Sequence, residues 1–166
     1  MHEMDVIGVR AELPGNAPMV VLQEREGAGR ILPIFIGAPE ATAIVLALDG
    51  VEAPRPMTHD LFHQVLEELG AVPERVVVTD LRDGTFFAEL YLRQGNDVRV
   101  LSSRPSDAIA LAVRANTPVF VESEVLDAAA HLPDDEDDDD DEPVVEEVVE
   151  AFRDFIDTVS PEDFEN

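Results

Sequence analysis

The chain has no cysteine, no tryptophan, no lysine and a single tyrosine. Without cysteine it can build no disulfide framework, no thiolate zinc site, no iron–sulfur cluster and no thiol nucleophile, while any redox compartment remains open to it. With so few large aromatics, no stacking platform of the kind that holds unpaired bases is evident from the composition. Its longest apolar runs, Ala43–Leu48 and Ala108–Val113, reach six residues, well short of the roughly 20 that a membrane helix requires. The opening Met1-His2-Glu3-Met4-Asp5 lacks the basic segment of an export signal, so a cytoplasmic protein without a membrane span is expected. No GxGxxG, Walker, GxSxG or zinc-knuckle pattern occurs.

What is abundant is acid. The 166 residues carry 37 Asp and Glu against 11 basic side chains, every one an arginine, for a formal charge of −26. Residues 1–131 hold 20 acids and 10 arginines, whereas the last 35 hold 17 acids and one arginine. Such a surface repels nucleic acid, because binding it depends on neutralising phosphates with basic side chains. An apolar share of 45% is enough for one domain that buries roughly two-thirds of its unfolded surface, and the length excludes two large ones.

Hydrophobic periodicity divides that domain, residues 1–131, into two similar halves, about 1–50 and 73–121. Val6–Ala11 and Met19–Leu22 read as a hairpin across the turn formers Pro14-Gly15-Asn16-Ala17-Pro18, and Arg30–Ile36 as a third strand whose Pro33 points to an edge or a bulge. Glu40–Leu48, entered through Pro39, places Ala41, Ile44, Val45 and Leu48 at helical spacing. The order then repeats: strands at Arg75–Leu81, Phe86–Arg93 and Val98–Leu101, with turns at Asp83-Gly84 and Gly95-Asn96, and a helix at Asp107–Arg114 after Pro105. An offset of 67 takes Glu40 to Asp107 and Ile34 to Leu101. The expected fold is therefore α+β, with duplicated β-β-β-α halves in a mixed or antiparallel sheet.

Between the halves, a helix over 58–69 carries Leu61, Phe62, Val65, Leu66 and Leu69 on one face, with Thr58 as N-cap and Gly70 as its close. Thr117–Val121 reads as a last strand. Asp134–Glu142 is acidic at every position, so 132–143 is expected to be a disordered linker. Beyond it, residues 144–159 repeat Val and Phe at three- and four-residue steps, the pattern of an accessory amphipathic helix.

Three acids open three helices: Glu40, Asp60 and Asp107. Each complements a helix dipole, and together at the end of a sheet they could hold a divalent cation. His59, His63 and Glu67 stand one helical turn apart, the outline of a zincin helix with Asp60 in place of its Glu, or simply a solvated face. Arg55-Pro56 and Arg104-Pro105 each precede a hydroxyl residue and an Asp. An arginine at a helix N-terminus makes an anion site, or else pairs with the neighbouring acid.

Taken together, Leu32–Gly37 with Glu40-Ala41, Arg55–Leu61, Val78–Ala88 and Ser103–Ala112 closely resemble the bifunctional nuclease domain family, found in bacteria and plants, and the all-arginine usage resembles an actinobacterial version. The resemblance implies a duplicated α+β fold and non-specific activity on DNA and RNA. Glu40, Arg55, His59, Asp60, Asp80, Arg104, Ser106 and Asp107 match the family pattern, whereas His63 and the acidic tail lie outside it. On this reading His59, Asp60 and Asp107 are the catalytic candidates, with His59 as the proton carrier. Arg55, Arg104 and Ser106 would hold the phosphate, and Glu40, Asp60, Asp80 and Asp107 would ligate Mg²⁺ or Mn²⁺. A homo-oligomer acting on nucleic acid is expected. The competing reading is a non-catalytic oligomeric module whose Arg-Pro loops grip an anionic ligand or a partner.

Overall fold

Two antiparallel three-stranded meanders, each running into a helix, make up most of the computed structural model, which describes residues 1–12 and 17–133. Strands β1 (His2–Glu12), β2 (Ala17–Glu24) and β3 (Ile31–Phe35) lead into α1 (Ala38–Leu48), and α2 (Thr58–Glu68) follows. The second half repeats the order with β4 (Ala71–Arg82), β5 (Thr85–Gln94), β6 (Asp97–Ser103) and α3 (Pro105–Ala115), before β7 (Val119–Val121) and α4 (Ser123–Ala129). Helices α1 and α3 begin and end at positions 67 apart, 38 against 105 and 48 against 115. The strands obey the repeat as well: β3 pairs with β2 and β6 with β5, all antiparallel.

All seven strands form one sheet in the order β3-β2-β1-β7-β4-β5-β6. The three-residue β7 seals the halves together, antiparallel to β1 and parallel to β4. Pro33 lies in edge strand β3, where a missing N–H costs the sheet nothing. The β4–β5 hairpin turns on Asp83-Gly84, both at positive φ (49° and 76°), which matches the twist of the flanking strands. Register slips interrupt β1 between Val6 and Gly8, and β4 at two places. Each bulge bends its strand and adds twist.

One face of the sheet and all four helices share a single core that includes Val20, Leu22, Ile44, Leu66, Val76, Val78, Leu90, Ile109 and Leu126. Helix α2 departs from expectation. Of its apolar stripe only Leu66 is buried, while Leu61, Phe62, Val65 and the following Leu69 stay substantially exposed, because α2 packs at the margin of the helical layer, against α3 and β4. Its N-cap is Met57, not Thr58, and the Asp60 carboxylate accepts the Met57 N–H at 2.9 Å. Gly70 closes the helix at φ 64°, as its position implied.

The short α4 was not foreseen. It docks through Val125 and Leu126 and through ions: buried Glu24 accepts Arg30 twice at 3.0 Å, pairs with His2 at 2.8 Å, and Arg30 also reaches Asp127 on α4 at 2.8 Å. Hydrogen bonds from Arg30 hold the Glu24 carboxyl down at about 2 despite its burial. Among the described residues no helix is long and apolar enough to cross a membrane. The expected linker and accessory helix, residues 134–159, lie outside the described residues.

Candidate functional site

Edge strands β3 and β6 stand at opposite ends of the strand order, about 29 Å apart were the sheet flat. They are not apart here. Arg104, immediately after β6, donates from Nη2 to Glu40 Oε1 in the first turn of α1 at 2.6 Å. Helices α1 and α3 pack against each other, and their N-termini meet at this bond.

Arg104 is the N-cap of α3 and Gly37 the N-cap of α1, which are equivalent positions of the repeat. Glu40 and Asp107 are likewise equivalent. The two halves thus supply two matched carboxylates but only one guanidinium, and it serves both: Arg104 Nε donates to Asp107 Oδ2 at 2.7 Å and Nη2 to Asp107 Oδ1 at 3.0 Å, besides the bond to Glu40. Gly37 takes the place of a second arginine in the first half, and a Cβ there would meet the far end of the Glu40 side chain. His59, the second residue of α2 and 14% exposed, completes the group with Nε2 at 3.2 Å from Asp107 Oδ1. Partial burial pushes the Asp107 carboxyl up, but hydrogen bonds from Arg104 and His59 outweigh this and leave it lowered. The two carboxylates, Asp107 first, raise the Arg104 guanidinium.

Of the catalytic candidates, then, His59 and Asp107 are brought together and Asp60 is not. Asp60 caps its own helix and pairs with Arg114 Nε at 2.5 Å. Burial raises its carboxyl, but the bonds from Arg114 and the Met57 N–H outweigh this, and the net direction is down. Arg114, which sequence reasoning passed over, is thereby a structural cation. Asp80 accepts its neighbours Leu81 N and Arg82 Nε on β4, apart from the cluster. Arg55 is exposed in the loop between α1 and α2. Only two of the four expected metal ligands, Glu40 and Asp107, converge, and the guanidinium already bridges them. Among the described residues no three His, Asp or Glu side chains are grouped to hold a metal. The zincin outline does not form either: His63 lies 3.9 Å from Glu67, while His59 turns to Asp107.

Beside the cluster opens a cleft of about 390 Å³ lined by Phe35 and Gly37 from the first half and by Thr85, Phe86, Arg104 and Ser106 from the second. Ser106, a phosphate-binding candidate, is 6% exposed, and its hydroxyl hydrogen-bonds no other described residue. Ser103 Oγ, at the end of β6, is buried and also without a hydrogen-bond partner. Phe35, Thr85 and Phe86 lie inside the motifs that carry the family resemblance but were not among the expected site residues, since aromatic and β-branched residues are ordinary in strands.

An uncharacterized protein of Mycobacterium tuberculosis is 45% identical over 165 residues, which is 99% of this chain and 98% of that protein. Bifunctional nuclease 2 of Arabidopsis thaliana is 33% identical over 114 residues, 66% of this chain but 35% of the plant protein. Bifunctional nuclease 1 of Oryza sativa subsp. indica is 28% identical over 123 residues, 72% of this chain and 37% of that protein. The chain thus spans little more than a third of these plant relatives. The bifunctional nuclease domain itself matches residues 20–134, which take in every member of the cluster. This chain belongs to the bifunctional nuclease domain family.

Proposed function

We propose that the chain hydrolyses phosphodiester bonds of DNA and RNA at the Glu40–Arg104–Asp107–His59 cluster. The observation that carries this reading is the hydrogen-bonded series from His59 through Asp107 to Arg104, the last of which lines a cleft, in a chain of a nuclease family. With the proton on Nε2, His59 donates to Asp107, which orients the ring and leaves Nδ1 to take a proton from the attacking water or hydroxyl. Arg104 has five N–H donors, and the bonds to the two carboxylates use those on Nε and Nη2. Its Nη1 donors remain for a phosphate oxygen, and its side chain is 66% exposed to meet one. Ser106 adds a hydroxyl on the cleft side.

The Mg²⁺ or Mn²⁺ expected from the acid-rich motifs does not fit this donor set. One or two carboxylates with waters can suffice for such an ion, but here both Glu40 and Asp107 are already engaged by Arg104, whose positive charge stands between them. No step is therefore drawn through a metal. The test is cleavage of end-labelled single-stranded DNA and RNA by the full chain, with and without chelator. His59→Ala, Asp107→Asn and Arg104→Ala should each lose about 100-fold or more, and Asp107→Asn should also displace the pH profile, whereas Asp80→Asn should cut like wild type. If the first three variants remain active, the site lies elsewhere. If wild type binds oligonucleotide and cuts neither substrate, the anion-binding module is the reading that remains, with Ser106 and Arg104 as its contacts.

A further inference from the structure

The cleft beside the cluster differs in character from the cluster itself. Arg104, at the border, is the one charged residue lining it among the described residues. Phe35, 59% exposed at the end of an edge strand, and Phe86, half-buried on β5, supply aromatic surface from the two halves. Thr85 and the unpartnered Ser106 supply neutral hydroxyls, and Gly37 and Gly84 keep backbone accessible. Its volume, about 390 Å³, falls within the roughly 300–1,000 Å³ of small-molecule sites. A wall this apolar and this nearly uncharged is wrong for a phosphate and right for a flat heteroaromatic ring with polar edges.

We propose that this cleft is a nucleobase subsite: one base of the substrate enters beside Phe35 and Phe86, its edge meeting Thr85 and Ser106, while the adjoining phosphate lies on Arg104. The inference rests on the nuclease reading for its polymer substrate and deepens it by naming the substrate class. A base in a duplex is stacked and paired and cannot enter such a slot without being extruded. The substrate is therefore single-stranded DNA or RNA, or an unpaired loop, held by one stacked base and one gripped phosphate in place of the basic surface this acidic chain lacks. A subsite that grips a neutral ring is also compatible with a net charge of −26, which long-range phosphate attraction is not.

The experiment has two arms, both on the full-length chain. In the first, wild type is titrated with adenosine and with ribose 5-phosphate while the phenylalanine ring resonances are followed by NMR. Adenosine should shift a subset of rings that Phe35→Ala and Ser106→Ala variants, checked for wild-type melting, no longer show shifted, and ribose 5-phosphate should not. In the second, binding of a single-stranded oligonucleotide is compared with binding of its duplex and of an abasic strand. The single strand should bind about 10-fold tighter than either, and Phe35→Ala should lose most of that margin. Absence of adenosine-dependent shifts, or equal binding of abasic and base-bearing strands, overturns the subsite while leaving the His59 and Asp107 cleavage results untouched. Adenosine binding in a protein that cuts nothing upholds the subsite and removes the nuclease reading instead.

Discussion

At Gly37 a missing side chain sets the geometry of the cluster. Its φ of −74° is open to any residue, so the requirement is one of space: a methyl would meet the far end of the Glu40 side chain. Gly37→Ala is accordingly expected to change stability by no more than about 0.5 kcal/mol, while pushing Glu40 off Arg104. Cleavage should fall about 10-fold, to the level of Glu40→Gln, and a variant that melts and cuts like wild type would show that the Glu40 contact is dispensable. Glu24 makes a second prediction at this scale. Its folded pKa, about 2, lies below its ordinary 4.5, so its contribution to stability is fully present above pH 4.5 and is lost as the pH falls toward 2. Glu24→Gln should cost about 3 kcal/mol at pH 7, the loss typical of breaking a buried ion pair, and thermal melts of wild type and variant should converge as the pH approaches 2.

Among the elements, α2 joins two roles on one short helix. Its N-terminus delivers His59 to the cluster and its single buried apolar residue, Leu66, fixes it to the core. Leu66→Ala should therefore destabilise by about 2–5 kcal/mol and weaken cleavage by loosening His59. The exposed Leu61, Phe62, Val65 and Leu69 form the apolar surface that self-association would cover. Leu61→Ser with Phe62→Ser should leave the melting of the isolated chain nearly unchanged. Sedimentation velocity should show a smaller species than wild type if the expected oligomer uses this stripe, and an unaltered sedimentation coefficient would place the contact elsewhere. Asp60 is the counter-example: an acid at a helix start that looked catalytic and instead caps Met57 and pairs with Arg114.

For the molecule as a whole, charge opposes the proposed substrate. Residues 132–166 bring 17 acids and one arginine, a field that slows the approach of a polyanion at low salt. Removing residues 132–166 is expected to leave the thermal unfolding of the remainder nearly unchanged, because the sheet and helices that precede them already share one hydrophobic core. The same truncation should speed oligonucleotide association by about 10-fold or more at low ionic strength, with the advantage fading as salt is added. A stopped-flow series over salt concentration would show a tail without electrostatic influence if the two proteins associate equally fast throughout.

The local content of this fold was legible from the amino-acid order. Strand and helix periods, the Asp83-Gly84 turn, Pro33 on an edge and the 67-residue repeat were all readable, because each depends on neighbours within a few residues or on the comparison of two such stretches. The joining of Glu40 to Asp107 was not. It required α1 packed on α3, a short β7 slipped between the halves, and an arginine in one repeat opposite a glycine in the other. The sequence offered four carboxylates of equal standing, and only tertiary structure could divide them, since Asp60 and Asp80 find nearer cations in Arg114 and Arg82. The cleft was not legible for the same reason: Phe35 and Phe86 stand in two of the resemblance motifs but 51 positions apart, and nothing in a strand's period of two records which distant edge it will face.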